Sequence, residues 1–134
     1  MNKKLIGVFI VAVACGPLVA QADAVAQLES DYLAAGAKEF SATRGEALWN
    51  KTFTDKKSGK TRSCGTCHGD NLRQAGKHAR TKKLIKPMAP STNPKRLITV
   101  KKIEKWFKRN CKWTVGRECT PQEKGDVLAF LKGK

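Results

Sequence analysis

The chain has 134 residues and carries 27 lysines and arginines against 11 aspartates and glutamates, a formal charge of +16. That length leaves room for one small domain and excludes a large multidomain architecture. So basic a domain ordinarily suggests nucleic acid as its partner, a reading that the N-terminal segment opposes.

Met1-Asn2-Lys3-Lys4 is a short positive start, residues 5–18 form an apolar run, and Ala20-Gln21-Ala22 offers small residues for cleavage. This is the pattern of a secretory signal, too short and wrongly flanked for a membrane anchor. Residues 1–22 are expected to be removed, leaving residues 23–134 as one exported domain of 112 residues in the periplasm. Lipoprotein processing at Cys15, preceded by Ala12-Val13-Ala14, is the alternative. Loss of Lys3 and Lys4 lowers the formal charge to +14.

Residues 23–40 are alanine-rich, with Val25, Leu28, Tyr32 and Leu33 at helical spacing and Gly36 as an interruption. Thr43-Arg44-Gly45-Glu46 has the capping-box spacing ahead of Ala47-Leu48-Trp49 and predicts a helix start there. Gly45 would let that helix approach another closely. Residues 54–63 are polar and lysine-rich, a loop.

That loop leads into Cys64-Gly65-Thr66-Cys67-His68. Two thiols three positions apart can each reach a vinyl group along one edge of a porphyrin and form thioether bonds. The next residue then lies under the ring, where an imidazole nitrogen meets the iron. This is the c-type haem attachment pattern: Cys64 and Cys67 hold the macrocycle and His68 is the proximal ligand. A zinc site usually needs a second thiolate pair, and the remaining cysteines are distant in the chain; a thioredoxin-like redox motif needs a βαβ context, which the sequence does not show. One motif implies one covalently bound haem c. An exported haem protein seldom meets nucleic acid. A docking face for an acidic redox partner therefore accounts for the charge better, with a merely solvated surface as the alternative.

Residues 69–92 show no convincing period, and no strand alternation of useful length occurs anywhere. The fold class expected is all-α. Of the 5 cysteines, Cys15 leaves with the signal and two take haem, so Cys111 and Cys119 remain. In an exported chain that leftover pair reads as a disulfide.

Residues 99–111 predict an amphipathic helix. At roughly 100° per residue, Val100, Ile103, Trp106, Phe107, Asn110 and Cys111 fall within about 140° of circumference, with lysines, Arg109 and Glu104 on the remainder. Asn110 is the anomaly: an amide on a buried stripe needs a partner, because unpaired desolvation costs about 1–3 kcal/mol. It is either a helix-end cap or a ligand to the iron. Thr120-Pro121-Gln122-Glu123 predicts a final helix, with Val127, Leu128 and Leu131 as its apolar stripe and Phe130 beside it.

Trp106-Phe107-Lys108-Arg109-Asn110-Cys111, with Gly116-Arg117-Glu118-Cys119 after it, resembles the sphaeroides haem protein family of small exported class I cytochromes c. Phe40-Ser41-Ala42-Thr43-Arg44-Gly45-Glu46, the haem motif, Pro87-Met88-Ala89-Pro90 and Asn93-Pro94 are also similar, so the resemblance spans about residues 40–131. It implies class I cytochrome c-like helices wrapped around the haem, the one before the attachment motif crossing the C-terminal one. It implies that Asn110 is the sixth ligand of oxidised iron, beside a Cys111–Cys119 disulfide. On reduction the amide would leave and the ferrous haem would bind small diatomics such as oxygen or nitric oxide. The electron donor implied is a dihaem cytochrome c.

Met88, the ligand type of ordinary class I cytochromes, is the chief competitor for the sixth position, with His78, a lysine or an open site as further alternatives. In the Met88 case the protein would be a simple His/Met electron carrier. Pro87 or Pro90 could instead offer a carbonyl to the second nitrogen of His68, leaving Met88 as packing. Trp49 and Trp106 suit core or haem-edge packing, and Trp113 could shield the distal pocket. The chain offers no acid/base pair beside the haem motif, so nitric oxide dioxygenase or peroxidase-like turnover is not demanded by any residue.

Overall fold

The computed structural model describes residues 17–134, with side chains from residue 22 onward. The expected signal segment thus lies outside the described residues as far as residue 16. Its elements are α1 (Pro17–Ala34), α2 (Ala42–Asn50), β1 (Phe53–Thr54), β2 (Thr61–Arg62), α3 (Gly65–His68), β3 (Gly76–Lys77), β4 (Leu84–Ile85), α4 (Val100–Thr114) and α5 (Pro121–Lys132). The architecture is helical, as expected, apart from two antiparallel hairpins of two residues per strand, β1–β2 and β3–β4. Strands that short leave no period to read. Among the described residues no helix is long and apolar enough to cross a membrane.

The first helix stops at Ala34, earlier than its alanine-rich composition predicts. Gly36 takes φ +92°, the left-handed region where lack of a Cβ costs nothing. The Gly36 N–H then donates to the Leu33 carbonyl and the Ala37 N–H to that of Tyr32, each at 3.0 Å, closing a Schellman motif. α1 runs across the expected cleavage point after Ala22. Its later part supplies the core contacts: Ala24, Val25, Leu28 and Tyr32 are buried with Ile103 of α4 and Leu128 of α5. The Tyr32 hydroxyl donates to Glu104 of α4, which also pairs with Lys124 of α5 at 2.7 Å.

Helix α2 begins two residues before the expected start. Ser41, not Thr43, is the N-cap, its hydroxyl accepting from the Arg44 N–H at 3.3 Å. A tertiary contact decides this: the Ser41 N–H is held at 2.8 Å by the Asp126 carboxylate of α5. Asp126 also accepts from Arg44 Nε at 2.9 Å, Arg44 Nη2 at 2.8 Å and Gln122 Nε2 at 3.2 Å. Its burial pushes the carboxyl pKa up, but the bonds from Arg44, Ser41 and Gln122 outweigh that and hold it below the usual carboxylate range.

A consequence can be measured. A carboxylate with a depressed folded pKa contributes stability that is full above its unfolded value of about 3.9 and lost as pH falls through the folded value. Asp126→Asn should cost about 2 kcal/mol at neutral pH, the scale of lost charge-assisted bonds. Its melting temperature should then fall less steeply below pH 4 than that of the parent.

α2 and α5 cross where Gly45 meets α5. A Cβ there would overlap the Asp126 carbonyl and crowd Phe130 Cβ at 2.9 Å, so the close approach expected of Gly45 is confirmed. The predicted capping box of α5 is complete: Thr120 accepts from the Glu123 N–H and the Glu123 side chain from the Thr120 N–H. Val127, Phe130 and Leu131 join Trp49, Leu72 and Ala89 in a second buried cluster, against which Met88 and Cys64 pack.

Candidate haem site

The helices of this frame enclose a cavity of about 900 Å³, within the ~300–1,000 Å³ of sites that bury most of a bound molecule. Cys64, Cys67 and His68 from α3 and its preceding residue line it, with Trp49 of α2, Met88, Leu97, Asn110 of α4, and Val127 and Leu131 of α5. Cys64, Cys67, His68 and Asn110 are thus brought to one cavity from elements far apart in sequence.

Two packing contacts fix the attachment helix. A Cβ on Gly76 of β3 would overlap the Cys67 carbonyl and lie 2.8 Å from His68 Cα, so only glycine lets the second hairpin lie against α3. On its other side the Trp49 indole stands over the His68 ring, centroids 5.4 Å apart, and is itself backed by Phe130 at 5.9 Å. Burial, with a smaller contribution from the Arg96 charge, lowers the His68 pKa to about 4. The imidazole is therefore neutral at physiological pH, with a nitrogen lone pair free for a metal. Burial likewise pushes the Cys64 thiol up to about 11. Cys64 and Cys67 are free, half-buried thiols.

His68 Nδ1 is buried without a hydrogen-bond partner among the described residues. The expectation that a Pro87 or Pro90 carbonyl takes its proton is corrected here. The Pro87 carbonyl is engaged by Asn93 Nδ2 at 3.1 Å and Arg96 Nε at 2.8 Å, and the bond to His68 is not formed. Met88 is anchored through its N–H to the Leu72 carbonyl at 2.9 Å and packs with the Trp49 cluster. His78 follows β3, and its Nδ1 accepts from the Thr81 N–H at 3.1 Å.

Asn110 lies on the cavity wall, and α4 continues past it to Thr114 with Val115 as C-cap. A helix-end cap role is therefore excluded. The expectation of a buried amide is corrected: Asn110 is exposed, like Trp106 on the same face, because this part of α4 faces the cavity rather than packed neighbours, and the amide has no hydrogen-bond partner among the described residues. One residue on, Cys111 is buried and bonded to Cys119, their Cα atoms 5.6 Å apart. The disulfide closes a short loop of 8 residues. Converting both cysteines to serine should lower unfolding stability by about 2.5 kcal/mol on the chain-entropy estimate. Denaturant midpoints of the oxidised, reduced and double-serine forms would measure it, the last two coinciding.

The charge lining the cavity is one-sided. Arg62, Arg80, Lys95, Arg96, Lys102, Arg109 and Lys112 line it, and no aspartate or glutamate does. Such a wall favours an anionic occupant, and the two propionates of a haem fit it. The neutral buried imidazole, the two adjacent thiols and the cationic wall together match the covalent attachment of a haem.

Comparison with known proteins agrees. Residues 35–131 match a family described as a domain of unknown function (DUF1924). The cytochrome c-type protein SHP of Cereibacter sphaeroides is 46 % identical over 120 residues, covering 90 % of this chain and 92 % of that protein. Cytochrome c'' of Methylophilus methylotrophus is 37 % identical over 91 residues, covering 68 % of this chain and 62 % of its own length. Among solved structures, oxidised SHP, described as an oxygen-binding cytochrome c, superposes with a TM-score of 0.73 at 43 % identity, over 82 % of this chain and 96 % of SHP. Oxidised cytochrome c'' gives 0.75 at 30 % identity, over 87 % and 96 %.

Fold, attachment motif and relatives define a monohaem c-type cytochrome with covalently bound haem. Within that class, the chain belongs to the sphaeroides haem protein family.

Arg62, Gly76 and the Arg44–Asp126 pair were not singled out from sequence. Asp126 carried no comparable signal: at 100° per residue it stands outside the arc of Val127, Leu128 and Leu131, and only the α2 contact reveals its role.

Proposed function

We propose that this cytochrome is a ligand-binding haem protein gated by reduction, in which Cys64 and Cys67 hold the haem, His68 binds the iron, and Asn110 closes the sixth position in the oxidised state. The haem supplies a redox-active iron whose hold on a weak carboxamide donor slackens on reduction. Asn110 then withdraws, and the reduced protein takes up a small diatomic such as oxygen or nitric oxide. The amide stays within reach to donate a hydrogen bond to the newcomer. Electrons come from an acidic partner, of which a dihaem cytochrome c is the type, drawn by the cationic surface around the cavity. Removal of residues 1–22 delivers the protein to the periplasm.

One observation carries this reading: an amide without a partner on the cavity wall, in a chain 46 % identical to SHP, whose solved structure is described as that of an oxygen-binding cytochrome. The test is carbon monoxide binding to the reduced protein, which should be rapid, with the ferric spectrum of Met88→Leu unchanged. Reduced protein that ignores carbon monoxide would end the proposal. A ferric spectrum that changes in Met88→Leu would instead support the simple His/Met electron carrier.

A further inference from the structure

The cavity has walls from two distant parts of the chain, and one side chain ties them together. Arg62 ends β2, two residues before Cys64. Its Nη1 donates to the Trp113 carbonyl at 2.9 Å, and its guanidinium lies 4.6 Å from the centroid of the Trp113 ring. Trp113 stands three residues after Asn110 and two after Cys111, in the last turn of α4. Arg62 is held from behind by Asp55 of the same hairpin, Nη1 to Oδ2 at 3.0 Å. The Asp55 carboxylate is in turn fixed by the Ser58 N–H at 2.8 Å and the Ser58 hydroxyl at 2.6 Å.

Each contact has a physical reason to persist. The last four carbonyls of a helix lack intrahelical partners, and that of Trp113 is one of them. A cation at a helix C-terminus also meets the negative end of the macrodipole. A guanidinium within about 6 Å of an indole face adds cation–π attraction, which an ammonium reproduces less well because it cannot lie flat. Arg62 is only 20 % exposed at its side chain, so the pair is partly shielded from water and salt.

We infer that Arg62 is a positioning residue, a strap from the attachment segment to the Asn110-bearing turn of α4. It fixes how far Asn110 stands from the His68 side of the cavity, and so how well the amide competes with external ligands. The inference rests on the proposed role of Asn110. The disulfide alone cannot do this, because Cys111 and Cys119 are only 8 positions apart and their bond constrains only the loop between them.

The test uses the oxidised holoprotein with Arg62→Ala, Arg62→Lys and Trp113→Ala. Amide hydrogen exchange at residues 112–116 should speed up about tenfold in Arg62→Ala, and affinity for added imidazole should rise by a similar factor. Arg62→Lys should recover only part of the difference, since it keeps a cation at the helix C-terminus but loses the guanidinium's contact with the Trp113 ring. Trp113→Ala, which keeps the carbonyl, should likewise fall between Arg62→Ala and the parent. Full rescue by lysine would mean that charge alone matters, as for a propionate contact, and would overturn the inference. So would unchanged exchange and affinity with only a lower melting temperature. Should Arg62→Ala not load haem, Arg62→Lys and Trp113→Ala decide by the same two readings. If the role given to Asn110 is wrong, Asn110→Ala leaves imidazole affinity unchanged while the exchange of residues 112–116 still responds to Arg62, so the two failures are distinguishable.

Discussion

Asn110→Ala should strip the oxidised protein of its sixth ligand and raise its affinity for added azide or imidazole about 100-fold. The size follows from competition. If the amide occupies the sixth position about 99 % of the time, an external ligand meets a competent site in only about one molecule in a hundred, and removing the competitor restores the rest. Stability should move the other way from a structural residue. In the reduced protein, where the amide would be off the iron, Asn110 lies inside α4 with no hydrogen-bond partner among the described residues, so there alanine removes no bond and is the better helix former by roughly 0.5 kcal/mol. Equal or greater stability of the reduced protein, with a large gain in ferric ligand affinity, is the signature of a side chain retained for chemistry. Titration of the oxidised variant with azide, followed by its absorption spectrum, gives the affinity, and a melting curve of the reduced variant gives the stability. Unchanged affinity would remove Asn110 from the iron.

Much of this was legible because the deciding information was local. The attachment motif is five consecutive residues, the capping box of α5 is four, and the α4 face repeats at helical spacing. The leftover cysteines needed only counting. What escaped depended on residues far apart. Ser41 prevails over Thr43 as the α2 cap because Asp126, 85 positions away, binds its N–H; the capping-box spacing at 43–46 satisfied a local rule that tertiary contact overrode. Arg62 and Trp113 are 51 positions apart, and neither is unusual in its own window. The two hairpins are too brief to alternate. Gly76 sat in a stretch without period, and only the proximity of Cys67 shows why a side chain there is forbidden. The bond expected from His68 to a proline carbonyl failed for a related reason: Asn93 and Arg96 had engaged Pro87 first, a competition that no local pattern records.

Gly45→Ala should destabilise the protein by about 3 kcal/mol or more, against the usual sign of that substitution. Within a helix, glycine to alanine ordinarily stabilises by about 1 kcal/mol, through lost backbone entropy in the unfolded chain. Here the added methyl would overlap the Asp126 carbonyl of α5, and backbone cannot move aside as a side-chain tip can. The two helices must separate, loosening the buried contacts of Val127, Phe130 and Leu131 and the bonds that Asp126 makes to Ser41 and Arg44. Forced overpacking costs about 1–3 kcal/mol, more when relief requires rigid-body movement, a large share of the ~5–15 kcal/mol that holds a domain folded. Gly133→Ala is the control. Gly133 has φ −89°, and a Cβ there would meet only the Phe130 carbonyl, at an ordinary 3.8 Å, so its stability should barely change. The damage should also reach the site. Trp49 projects from α2 against His68, the ring centroids 5.4 Å apart and the planes tilted by 43°, so an α2 that has shifted from α5 no longer holds the imidazole in one orientation. Gly45→Ala protein that still carries covalent haem should therefore show broadened ferric resonances from more than one His68 setting, and denaturant titration should give the lost stability. An unchanged midpoint with a single sharp spectrum would show that α2 and α5 do not cross at Gly45.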